Sequence, residues 1–159
     1  MNSLATDYKV SRSFDYKAIR DVLTHPEIYP LVTDDRSPEV YDFHPPENEN
    51  IIYLIAEVDG ETAGVIVYIP EASVVLDSHI AILPKYRMYS TAIGRMAIAW
   101  AFDNTKAVKI EGRIPKCNRK TYKFAKKIGF KSEGVSKLSY LKGGKLFDRY
   151  LVGIIKGGS

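Results

Sequence analysis

Apolar residues fall at Tyr16, Ile19, Val22 and Leu23, the spacing of one helical face. Ser13 or Asp15 stands where such a helix needs its N-cap, and Thr24-His25-Pro26 ends it. Pro26 also suits the first turn of a second short helix reaching Leu31. A short strand is predicted just before, near residues 8–10. Residues 33–50 lose all periodicity in a stretch rich in Pro, Asp and Glu, which predicts a long ordered loop of the kind that often carries function. The period then shortens. Residues 51–58 are rich in branched side chains, Asp59-Gly60 is a hairpin turn, and residues 61–69 form the partner strand. Pro70-Glu71-Ala72 is predicted to break it, with a third strand over 73–83 ending at Pro84. Helical spacing returns over 91–104, where Ile93, Met96, Ala97, Trp100 and Ala101 share a face. Residues 108–114 read as a strand. Residues 119–128 read as a helix, with Tyr122, Ala125 and Ile128 inward, Lys120, Lys123, Lys126 and Lys127 outward, and Gly129 as its C-cap. A last hairpin over 134–155 turns at Gly143-Gly144.

The predicted order is strand, two helices, three strands, helix, strand, helix, two strands. Antiparallel runs joined by two crossover helices make an α/β (α+β) fold, a mixed sheet packed by helices. The 159 residues suit a single domain. No apolar run approaches the roughly 20 residues that span a bilayer, so no membrane partner is expected. The N-terminus lacks a basic head followed by an apolar stretch and does not read as a secretory signal. A lone cysteine, Cys117, permits no intrachain disulfide and is expected to be a small buried residue. These features point to the cytoplasm.

Charge is unevenly placed. Residues 1–80 carry 15 acids against 5 bases, whereas residues 106–131 carry 10 bases against one acid. Such asymmetry fits an anionic ligand on one side and a cationic one on the other, or two solvated faces that attract each other. A nucleic-acid surface ranks last, because the basic run lacks interleaved exposed aromatics and any recognised motif.

The junction over residues 83–96 is the most informative segment. A strand ends at Pro84, a short loop follows with Arg87, Met88, Tyr89, Ser90, Thr91 and Ala92, and a helix starts. The first amides of a helix lack internal partners, and with the dipole they make an anion site suited to a pyrophosphate. This segment resembles the acetyl-CoA-binding loop of the GNAT superfamily, Arg/Gln-x-x-Gly-x-Gly/Ala, with Arg87, Ser90 and Ala92 at the marked places. Ser90 stands where the family usually has glycine, which requires a negative φ there. Asn118-Arg119-Lys120-Thr121, Ala125-Lys126-Lys127-Ile128-Gly129-Phe130 and Glu133-Gly134 are similar to the pattern of the subgroup containing the ribosomal-protein N-terminal acetyltransferases. Residues 143–148 resemble that subgroup's Gly-x-x-x-Asp hairpin, and the Asp59-Gly60 and Ala63-Gly64 hairpin fits as well. The chain also looks like short GNAT-like proteins common in tailed-phage genomes, which would place it in a host cytoplasm.

The resemblance implies a six- to seven-stranded, mostly antiparallel sheet with a V-shaped splay, flanked by about four helices. It implies acetyl-CoA as co-substrate, no metal, and transfer of the acetyl group to a primary amine. The expected acceptor is a protein lysine or N-terminus, or a small polyamine-like molecule, and the protein is expected to be a monomer or homodimer. His79, on the third strand near where the family often carries Glu or His, is the candidate base, or else a histidine bonded within the sheet. Asp77 shares its face and can orient it or act in its place. The family's oxyanion donor and pantetheine partners map to backbone at Ala81, Ile82 and Leu83. The tyrosine that often protonates the thiolate is replaced by Ala125, leaving Thr121 or Tyr122 for that task. Asn118 would contact the cofactor arm and Lys120 its phosphates. The loop after the first two helices borders the acceptor site, and there Asp34 and Asp35 are expected to draw in a cationic acceptor. The competing reading is a GNAT-fold binding or phage-assembly module without catalysis.

Overall fold

The computed structural model describes residues 5–158; residues 1–4, part of the stretch read above for a secretory signal, lie outside it. The chain runs β1 (Tyr8–Arg12), α1 (Tyr16–Leu23), α2 (Tyr29–Val32), β2 (Ile52–Val58), β3 (Glu61–Ala72), β4 (Val75–Ile82), α3 (Ser90–Asn104), β5 (Lys109–Pro115), α4 (Arg119–Lys127), β6 (Lys131–Lys142) and β7 (Lys145–Ile155). The predicted order of elements is therefore realised. Asp15 is the cap of α1, its Oδ1 accepting the Ala18 N–H at 3.1 Å. The second helix starts later than predicted, at Tyr29, with Pro30 rather than Pro26 in its first turn.

The seven strands form one sheet in the order β1-β2-β3-β4-β5-β7-β6. Every pairing is antiparallel except β4 with β5. Helices α3 and α4 cover one face, over Leu54, Ile66, Tyr68, Leu76 and Ile110. Helix α1 covers the other, over Tyr53, Val65, Val67 and Ala81. Each fully buried Leu or Ile stabilises the fold by about 1.5–3 kcal/mol. The hydroxyl of Tyr68, deep in the first layer, donates to the Ala97 carbonyl at 2.7 Å and ties α3 to the sheet.

Two predicted boundaries fail for physical reasons. Strand β3 passes through Pro70 to Ala72, and the chain turns at Ser73-Val74 instead. β2 ends its pairing at Ile52 opposite Tyr68, so the missing N–H of Pro70 faces an edge where no partner waits. The loop predicted after Pro84 is a 3₁₀ helix, Pro84–Tyr89, that continues directly into α3. Pro84 sits in its first turn, where proline's fixed φ favours helix entry. Cys117, expected inside, is exposed on the short connection between β5 and α4.

Candidate active site

The only parallel pair in the sheet opens almost as soon as it forms. β4 and β5 are in register at Val75 with Lys109, Leu76 with Ile110 and Asp77 with Glu111, and no further. β4 nevertheless runs to Ile82, paired along its other edge to β3. β5 runs to Pro115, paired along its other edge to β7. The two strands therefore part into a V. At its apex the Ser78 hydroxyl donates to the Glu111 carbonyl at 2.8 Å.

Backbone direction decides which groups line the V. The Leu83 N–H donates to the Ala63 carbonyl at 2.8 Å, across the β3 side. The Val74 carbonyl accepts from Val108 at 2.9 Å, on the β5 side. Alternation along a strand then turns Ala81 and Leu83 toward β3, and Ile80 and Ile82 toward the opening. This corrects the expectation for Ala81, Ile82 and Leu83. Only Ile82 of the three presents its N–H to the gap, and Ile80 joins it.

His79 and Asp77 lie on the α1 face of β4, beside the gap. His79 Nε2 stands 3.1 Å from Asp77 Oδ2, with the His79 side chain 54% exposed and that of Asp77 only 13%. A carboxylate accepts rather than donates, so this contact favours the imidazole tautomer protonated at Nε2, with Nδ1 as the nitrogen left to accept. Asp77 Oδ1 is buried and has no hydrogen-bond partner. Asp77 is thus placed to orient the imidazole, and its second oxygen is left without a partner.

Helix α3 follows β4 and α4 follows β5, so both helices begin at the open end of the V. At α3, Arg87 and Met88 are exposed, while Tyr89, Ser90, Thr91 and Ala92 are half-buried. Tyr89 packs edge-on to Tyr8, centroids 5.9 Å apart. Ser90 has φ −57°, so a side chain fits where the family usually has glycine. Its N–H, however, is taken by the Arg87 carbonyl, which corrects the expectation that every first-turn amide points outward. At α4, Asn118 is the N-cap and its side chain makes no capping bond. Lys120 and Thr121 are exposed in the first turn. Tyr122 stacks on Tyr150, rings 3.9 Å apart and 17° from parallel, which gives its ring a packing role.

The loop after α2 forms the rim on the α1 side, and the β6–β7 hairpin is bolted to it. Asp35 Oδ1 and Oδ2 accept the Gly143 and Gly144 N–H groups, each at 2.8 Å. Those two bonds hold the Asp35 carboxyl below its ordinary range. Both glycines have positive φ, as a two-residue hairpin turn requires. Lys142 Nζ donates to the Pro30 and Thr33 carbonyls at 2.7 Å, and the Tyr140 hydroxyl donates to Thr33 at 2.6 Å. Asp34 Oδ1 accepts the Arg36 N–H at 2.9 Å within its own turn. Asp34 and Asp35 thus brace the rim through backbone N–H groups, and neither enters an ion pair among the described residues. Among the described residues no cluster of His, Cys, Asp or Glu is placed to hold a metal ion.

Of two surface cavities, one of about 480 Å³ adjoins the 3₁₀ helix, lined by Val58, Glu61, Lys85, Tyr86, Met88 and Tyr89. The other, about 180 Å³, lies at Lys131, Glu133 and Gly153, near the apex of the V rather than its mouth. Sequence reasoning missed Ser78, Ile80, Tyr140 and Arg149. Ser78 and Ile80 carried a legible signal in the strand's alternation. Tyr140 and Arg149 carried none, because their places depend on how the last hairpin folds over the loop.

A mixed sheet opened at its one parallel pair, with a helix entering at each tip, is the fold of the GNAT acetyltransferases. Spermidine N-acetyltransferase from Vibrio cholerae, solved in complex with CoA and spermine, matches with a TM-score of 0.76 at 15% identity, covering 96% of both chains. A GNAT-family acetyltransferase from Streptococcus pneumoniae matches with a TM-score of 0.71 at 20% identity, covering 94% of this chain and 99% of its own. In sequence, the L-amino acid N-acetyltransferase AaaT of Escherichia coli (strain K12) is 27% identical over 150 residues, 89% of this chain and 93% of that relative. No protein-family model matches the chain.

Proposed function

We propose that this chain is an acetyl-CoA-dependent N-acetyltransferase, a single GNAT-like domain that joins acetyl-CoA and a primary amine in a ternary complex. The observation that carries the reading is the parting of β4 from β5 beyond Asp77 and Glu111, with His79 and Asp77 on its border. The relatives support it through their names, which assign acetyl transfer to L-amino acids and to spermidine.

The pantetheine arm lies in the V, bonded to backbone at Ile80 or Ile82. The phosphates meet Arg87 and the mouth of α3 on one limb, and Lys120 with Asn118 on the other. The acceptor enters from the α1 face. His79 Nδ1 takes the ammonium proton, directly or through water, while Asp77 fixes the Nε2–H tautomer. The neutral amine attacks the thioester carbonyl. Negative charge grows on that oxygen, toward one of these two backbone N–H groups, Ile80 or Ile82, while the other holds the pantetheine arm. The C–S bond breaks and CoA leaves as a thiolate, and the proton that the nitrogen sheds on becoming an amide passes to that sulfur through solvent or relayed by the hydroxyl of Thr121 or Tyr122. Cytoplasmic residence suits the coenzyme, and among the described residues no helix is long and apolar enough to cross a membrane. Kinship with the ribosomal-protein subgroup rests on the Asn118–Gly134 motifs.

A second reading, a GNAT-fold module without catalysis, is favoured by the engaged Ser90 amide, which weakens the anion grip of α3. Calorimetry with acetyl-CoA, followed by thiol release in the presence of amines, separates them. Micromolar binding and amine-dependent release of CoA are expected. Failure to bind at millimolar acetyl-CoA would leave the module.

A further inference from the structure

We propose that Arg149 is an acceptor-binding residue that takes a carboxylate, so that the preferred acceptor is an amine bearing a carboxylate, of the amino-acid type, rather than a polyamine. The inference rests on the acetyl-transfer reading above and narrows its acceptor.

Placement comes first. Tyr150 turns toward α4, where it stacks on Tyr122. Arg149, its neighbour on β7, must turn the opposite way, onto the face that holds His79 and Asp77. The registers Asp77 with Glu111, Glu111 with Gly153 and Pro115 with Arg149 fix its height. Arg149 lies one two-residue step, roughly 7 Å, nearer the mouth of the V than His79. The gap runs between them. An amine held over the gap would direct its carboxylate toward β7.

Charge comes second. Lys109 and Arg113, on the same face of β5, are neutralised by Glu111, Glu133 and Glu71. Arg149 is half-buried and enters no ion pair among the described residues. A half-buried guanidinium one strand from the gap, across β5, repels a polycation and suits a carboxylate, which its planar fork can bind with two parallel bonds.

Third, the fork is held in place. Arg149 Nε donates to Ser139 Oγ at 2.9 Å, and that hydroxyl donates to the Ser136 carbonyl at 2.9 Å. Ser139 is where it is because β6 bulges between Ser136 and Tyr140. The bulge puts Leu138, an exposed leucine, at φ +48°, a conformation that leucine avoids. Asp148 Oδ1 secures it by accepting the Leu138 N–H at 2.8 Å. Bulges beside active sites re-aim side chains, and this one leaves the terminal nitrogens of Arg149 to a ligand.

The test compares the common L-amino acids, their carboxamides and spermidine as acceptors for the wild type and for Arg149→Gln. The wild type should prefer each acid over its carboxamide. Arg149→Gln should raise KM for the acids about 10- to 100-fold, the range of a charge-assisted bond, with kcat within about twofold. Its KM for carboxamides should stay put, and Arg149→Lys should rescue little of the loss. Equal use of acid and carboxamide, preference for spermidine, or an equal loss on all acceptors would overturn the assignment. NMR titration of N-acetyl-L-alanine against N-acetyl-L-alaninamide, without coenzyme, reads the same contact independently of turnover. Failure of acetyl transfer alone would strike the enzyme reading. Carboxylate binding that is absent, or indifferent to Arg149→Gln, would strike this one.

Discussion

At the scale of single residues, the proposed chemistry turns on the 3.1 Å contact between His79 and Asp77. Asp77 Oδ2 faces His79 Nε2, and in the proposed mechanism the base is then Nδ1. His79→Ala should lower kcat by about 10²-fold while leaving acetyl-CoA affinity unchanged, since the imidazole takes the acceptor's proton and does not grip the coenzyme. Asp77→Asn should lower kcat comparably. An amide donating to Nε2 moves the proton to Nδ1 and removes the base. Steady-state kinetics beside calorimetry checks both, and an Asp77→Asn enzyme of undiminished kcat would dismiss the orienting role. The pairing of these residues was legible in sequence, because positions two apart on a strand share a face. Which nitrogen stays open was not, because a tautomer follows from contact geometry. Arg149 was illegible for a similar reason, since its neighbour Ser139 is delivered by a bulge that no pattern of apolar residues encodes.

At the scale of elements, the β6–β7 hairpin and the α2–β2 loop act as one piece. Asp35 joins them, and its carboxyl is held below the ordinary carboxylate range by the Gly143 and Gly144 N–H groups. A lowered carboxyl stabilises the fold fully above about pH 4 and stops doing so as pH falls through its depressed value. Asp35→Asn should therefore unfold earlier than the wild type at pH 7, and the gap should close as both are taken below about pH 4. Thermal unfolding across pH 2–7 measures it, and a gap that persists to pH 2 would assign the difference to something other than this ionisation. Periodicity found the elements well. The stripes of α1, α3 and α4 and the two tight hairpins were visible because each is set by local spacing and turn chemistry. The errors fell where tertiary context overrides a local signal. Pro70 did not break β3 because its N–H side faces an unpaired edge, and Pro84 began a 3₁₀ helix rather than a loop.

For the whole molecule, the V is the feature that organises everything else. One face of the sheet carries α3 and α4, which bring cations to the mouth, and the other carries α1 and the braced loop, where the proposed mechanism has an acceptor meet His79. The charge asymmetry read from the sequence is partly spent inside the fold, since Lys109, Arg113 and Lys116 pair with Glu111, Glu133, Glu71 and Asp148. A splay between two strands leaves no mark in composition or spacing; it entered the sequence reading through family resemblance alone. Its most direct test is an amide NMR titration with acetyl-CoA. The Ile80 and Ile82 N–H signals should move far and saturate with the coenzyme, while Ala81 and Leu83, turned toward β3, move little. Saturating binding that leaves Ile80 and Ile82 unmoved would contradict the account.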